Sequence, residues 1–96
     1  MRMLLTARMD TEHANRAVSD GTMPKLIEDI VDTLKPEAAY FTPVEGERTC
    51  MLVFDMEDSA QMPPIAEPFF LAGARVSVQP VMNLDDLRRG LGNLAR

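Results

Sequence analysis

An α+β fold is predicted, with a four-stranded antiparallel sheet, helices on one face of it and an extra C-terminal helix. Three observations predict it. Four segments alternate apolar and polar residues with the period of two that a strand requires. Between and after them lie apolar stripes at helical spacing. Gly, Pro, Asn and Asp fall at the joints. With 96 residues the chain forms one domain, residues 1–96.

The first strand spans residues 2–9, where Met3, Leu5, Ala7 and Met9 share one face and Leu4, Thr6 and Arg8 the other. Asp10 or Thr11 then caps a helix beginning near Glu12. The next stretch, Ser19-Asp20-Gly21-Thr22-Met23-Pro24, decides how that helix continues. The stripe after it (Met23, Leu26, Ile27, Ile30, Val31, Leu34) and the apolar positions before it (Ala14, Ala17, Val18) fall on nearly opposite faces of one straight helix turning about 100° per residue. Two helical pieces are therefore expected, 11–20 and 23–34, reset at Gly21, with Thr22 or Asp20 satisfying the freed amides and Pro24 in the first turn, where a missing N–H costs nothing. The alternative is one kinked helix that turns Glu12, Arg16 and Asp20 toward the sheet edge.

Pro36 ends this helical region. A short strand within 37–44 contains Ala38 to Thr42, a hairpin turn follows at Glu45-Gly46-Glu47, and 48–56 forms the strongest strand. In that strand Cys50, Leu52, Phe54 and Met56 face the helices. Asp58 to Gln61 fits a capping box ahead of a short helix ending near Ala66, confined by Pro63 and Pro64. Pro68 opens a separate turn, 69–72, stopped by Gly73. The last strand is 74–82, and Asn83 caps a final helix with a stripe of Leu84, Leu87, Leu91 and Leu94.

The order β-α-β-β-α-β-α begins with the split β-α-β pattern of ferredoxin-like domains. The sheet face away from the helices carries Leu4, Thr6, Arg8, Thr49, Met51, Val53, Asp55, Arg75, Ser77 and Gln79. It is too apolar to stay bare and too polar for a dry core. A homodimer packed through the open sheet face, a dimeric α+β barrel, would cover it.

A net charge of −5 gives nucleic acid or an anionic membrane surface no electrostatic reason to bind. No apolar run approaches the roughly 20 residues of a membrane span, and the opening apolar residues are too few for a signal peptide. The lone Cys50 reads as a buried structural thiol, which makes the cytoplasm the expected compartment.

The segment Glu67-Pro68-Phe69-Phe70-Leu71-Ala72-Gly73, followed by a strand ending near Pro80, resembles the YCII-related proteins of the dimeric α+β barrel superfamily. Its Pro-Phe turn before the last strand is similar to that of muconolactone isomerases. The whole chain also looks like small bacterial proteins that end in Pro-Val-Met-Asn and a leucine-rich tail. The resemblance covers 67–80 and the element order. It implies a homodimer with a cleft near the first helix and the Pro-Phe turn. It further implies an acid–base pair of His13, the sole histidine, with Glu67.

Two residue sets follow for function. His13 and Glu67 are the catalytic candidates, since an imidazole beside a carboxylate is a competent general base. Asn15, Tyr40, Phe41, Phe69, Arg8 and Arg75 are the ligand-binding candidates, the aromatics for an apolar body and the arginines for a ligand carboxylate. No nucleophile constellation, phosphate loop or metal-ligand spacing is found, and no cofactor is expected. Three functions are carried forward: binding of a small organic ligand in a cleft, a cofactor-free isomerase or oxygenase-like enzyme using His13, and a structural or regulatory homodimer.

Overall fold

The sheet is organised by β1 (Arg2–Arg8) and β3 (Glu47–Asp55), which pair antiparallel over the whole of β1. The structure, a computed structural model, describes residues 1–94. β2 (Ala38–Val44) adds to the outer edge of β3 and β4 (Arg75–Pro80) to the outer edge of β1, which makes one four-stranded sheet of order β2-β3-β1-β4 with all neighbours antiparallel. Leu5 sits opposite both Leu52 and Val78, and Cys50 opposite both Ala7 and Phe41. Directly paired residues point to the same side. This register therefore gathers the apolar alternates of all four strands on one face.

Helices α1 (Thr11–Ser19), α2 (Thr22–Leu34) and α3 (Met62–Leu71) supply the layer over that face. Ala14, Ile30 and Phe69 pack with Met3, Leu5, Leu52 and Phe54 in one core. Phe54, Phe69, Leu5 and Leu52 are fully buried. Each side chain of that kind contributes about 1.5–3 kcal/mol relative to exposure.

The reset between the first two helices is present. α1 ends at Ser19, Gly21 takes φ +81°, and α2 begins at Thr22. The residue that holds the restart is Asp20 rather than Thr22. Its carboxylate accepts from the Thr22 amide at 3.0 Å and the Thr22 hydroxyl at 2.7 Å, which satisfies a donor the new helix leaves free. Pro24 sits in the first turn of α2, as expected.

The β2–β3 connection is a two-residue turn with positive φ at both Glu45 (51°) and Gly46 (79°), the backbone that matches hairpin twist. Pro43 is accommodated because β2 is an edge strand.

The largest departure from expectation is α3. A short helix and a separate turn become one helix, Met62–Leu71, preceded by a 3-10 turn at Ser59–Gln61. Asp58 and Gln61 form the expected capping box. Pro63 and Pro64 fall in the first turn, where no intrahelical donor is lost, and Pro68 removes a single donor. The buried Ala66 and Phe69 hold the helix on the core through that gap. The last strand is shorter than expected, ending at Pro80.

The capping box of Asn83 and Asp86 starts α4 (Leu84–Gly92), whose residues all stay unburied. Leu84, Leu87, Leu91 and Leu94 are 40–79% exposed. The chain measures 56 × 29 × 18 Å, with a radius of gyration of 15.4 Å against the roughly 12–13 Å of a compact domain this size.

Gly21 yields a direct test. Its Cβ position is open, so only backbone strain opposes a side chain there. Gly21→Ala is expected to destabilise by about 1 kcal/mol or more in chemical denaturation, because alanine resists positive φ. A stabilising effect would show that the backbone at this position is ordinary helix.

Candidate functional site

The helix stripe predicted to pack on the sheet is only partly used for packing. Of Met23, Leu26, Ile27, Ile30, Val31 and Leu34, Ile30 alone is buried. α2 leans on α1 and α3 and makes no comparably extensive approach to any strand. Its N-terminal half therefore stands off the β2–β3 hairpin, and a cleft of about 610 Å³ opens between them. Met23, Leu26 and Ile27 form one wall, Phe41, Pro43 and Gly46 the other, and Ala7, Cys50 and Phe69 reach its floor.

Polar groups enter from one end. Asp10 caps α1, its carboxylate accepting from the His13 amide at 2.7 Å, and this starts the helix so that Thr11 and Asn15 line the cleft. Across from them Arg48 donates from its guanidinium to Asn15 Oδ1 at 2.9 Å. The Met9 amide bonds the Arg48 carbonyl at 3.1 Å, which extends the β1–β3 pairing to the cleft edge. Cys50 is buried, and desolvation pushes its thiol up to about 11. At neutral pH it is a neutral apolar contact, not a nucleophile.

Three of the six expected ligand residues come together here: Asn15, Phe41 and Phe69. Tyr40 does not join them, because it pairs with Met51 on the opposite face of the sheet, where its side chain is 66% exposed. Arg8 and Arg75 are on that face too and are occupied by carboxylates. Glu47 accepts from both, and Arg8 also reaches Glu45 at 3.1 Å.

His13 and Glu67 are outside the cleft lining. The imidazole packs over Gly73 and bonds Asp10 through Nδ1 at 2.7 Å. Asp10, not Glu67, is thus its carboxylate partner among the described residues. This bond to the His13 ring, followed by the bond from the His13 amide, holds the Asp10 carboxyl below the ordinary carboxylate range.

The sequence reading passed over Arg48 and the cleft role of Met23, Leu26 and Ile27. A signal for Arg48 was present: it shares strand parity with Cys50, Leu52 and Phe54, so a cation was aimed at the helix side. Among the described residues no metal-ligating cluster occurs, and no helix is long and apolar enough to cross a membrane. Comparison with protein-family models, curated proteins and solved structures returns no match.

Two measurements check this chemistry. Alkylation of Cys50 by iodoacetamide should be slow at pH 8 in the folded protein and fast in denaturant, with folded-state reactivity rising only as pH approaches 11. Fast alkylation of the folded protein at pH 8 would contradict a buried neutral thiol. Asp10 stabilises the fold while ionised, and its folded-state value is depressed, so its contribution is present at neutral pH and lost as pH falls through that value. The melting temperature of Asp10→Asn should therefore fall less than that of wild type between pH 5 and about pH 2. Parallel curves would show no linkage.

Proposed function

We propose that this protein is a homodimeric α+β barrel of ferredoxin-like topology that binds a small organic ligand in the cleft between α2 and the β2–β3 hairpin. The observation that carries the ligand reading is the cleft itself. Its volume of about 610 Å³ lies within the roughly 300–1,000 Å³ typical of ligand sites. Its walls are mainly apolar, and a few polar groups converge at one end, as orientation of a small molecule requires. The sheet order, with β3 between β1 and β2, supports the ferredoxin-like assignment. The resemblance of 67–80 to YCII-related proteins points the same way.

Two uncovered apolar surfaces favour the homodimer. Leu4, Met51 and Val53 lie half-buried on the open sheet face, with no helix packed along it among the described residues. The leucine stripe of α4 is also bare. A single cysteine without a partner suits a reducing compartment such as the cytoplasm. The acid–base enzyme reading draws less support, because His13 and Glu67 neither line the cleft nor meet each other.

Titration of ¹⁵N-labelled protein with a library of small organic compounds tests the ligand reading. Amide shifts clustered at Ile27, Gly46 and Cys50 are expected. Hits confined to the open sheet face, or none, would reject it. Light scattering at micromolar concentration should report twice the chain mass of 10.7 kDa. Val53→Lys should return the monomer by placing an unpaired charge in the interface. A monomeric wild-type protein would reject the dimer.

A further inference from the structure

The charge pattern of the cleft narrows what it takes, given that it is a ligand site. The chain carries 15 acidic residues and a net charge of −5, yet no Asp or Glu lines the cleft. Among the described residues, the one charged side chain on its wall is Arg48. Most arginines of this protein are already neutralised: Arg2 by Glu37, Arg8 and Arg75 by Glu47, Arg88 by Asp85, Arg89 by Asp86. Arg48 has no carboxylate within ion-pair distance among the described residues, and neither do Arg16 and Lys35, which lie away from the cleft. The side-chain partner of Arg48 is the amide of Asn15. Because Asn15 accepts through Oδ1, its NH₂ group is left as a donor beside the guanidinium.

We infer that the cleft binds an organic monoanion: an apolar body between Met23, Leu26, Ile27 and Phe41, and a carboxylate or sulfonate held by Arg48 and the Asn15 amide. A guanidinium fork suits a planar carboxylate and forms charge-assisted bonds of greater strength than neutral ones. The lack of a competing acidic side chain means the anion displaces no existing ion pair. A neutral ligand would gain nothing from the exposed Arg48 charge, and a cation would meet it as a like charge. The opposite sheet face offers no equivalent site, since Arg8 and Arg75 are held by Glu45 and Glu47.

The test compares two fluorescent probes with the same aromatic body: anilinonaphthalene sulfonate, and phenylnaphthylamine, which lacks the sulfonate. Wild-type protein should bind both, the anion more tightly. Arg48→Gln should weaken the sulfonate about tenfold or more and leave the neutral probe within about twofold. Retained binding of the neutral probe also reports that the variant is folded. Arg48→Lys should recover part of the loss, because it keeps the charge without the fork. Ile27→Glu should weaken both probes, and Leu71→Glu, on the exposed side of α3 and outside the cleft lining, neither. If Arg48→Gln leaves sulfonate affinity unchanged, or weakens both probes equally, the anion assignment is overturned while the cleft stands. If wild type binds neither probe, or Ile27→Glu leaves both unchanged, the cleft reading fails and the anion assignment with it.

Discussion

The break at Gly21 is the constraint on which the arrangement of this protein turns. Ala14 and the stripe beginning at Met23 are out of phase on a continuous helix, so one straight rod could satisfy the sheet with only one of them. Glycine at positive φ releases the helix axis, and Asp20 pins the restart through Thr22. α1 then stays near the sheet with Ala14 fully buried. α2 starts on a new axis, leans on its neighbouring helices and buries Ile30 beside the core. The cleft is the space left under the other end of that second axis.

The sheet supplies the opposite wall by an equally local rule. Period-two alternation fixes which residues face the helices, and the tight Glu45-Gly46 turn fixes which residues of β2 meet which of β3. Phe41 therefore shares the face of Cys50, while Tyr40, one residue away, shares that of Met51. A slip of one residue in the hairpin would exchange them and replace an apolar wall with a polar one. The same rule brings Arg48 to the cleft end and sends Glu47 across the sheet to Arg8 and Arg75. Cation and carboxylates are adjacent in sequence and separated by the sheet.

Much of the fold was legible because it rests on such local rules. Strand faces, the hairpin, the helix reset and the capping boxes at Asp58 and Asn83 all follow from spacing and turn chemistry. The continuity of α3 was not, because three prolines in one segment read as stops, and burial of Ala66 and Phe69 outweighs the single donor lost at Pro68. The cleft was half legible. Asn15, Phe41 and Phe69 could be placed near one another from element order. That α2 stands away from the hairpin could not be read, since an apolar stripe looks the same whether it meets side chains or a gap. His13 was drawn toward Glu67 by resemblance, whereas the nearer carboxylate, three residues upstream at Asp10, holds it.

Size explains why this chain exposes so much apolar surface. A domain of about 100 residues buries a smaller fraction of its unfolded surface than a larger one. Here the core is one layer deep, a single helix layer on a single sheet face. Much of what the core does not cover lies in the cleft, on the open sheet face or along α4. These three surfaces differ in kind. The cleft is concave and contains Arg48, which has no carboxylate within ion-pair distance among the described residues. The open face is broad, and its charges are already matched within the chain by Glu47 and Glu45, so a neutral, self-complementary surface can meet it without stranding an ion. α4 pairs its own charges along one side, Arg88 with Asp85 and Arg89 with Asp86, and leaves its leucines free on the other. On the proposed reading, the charge without an ion-pair partner in the cleft is what a charged ligand would meet, and the matched charge on the other two surfaces is what would let a second copy pack there.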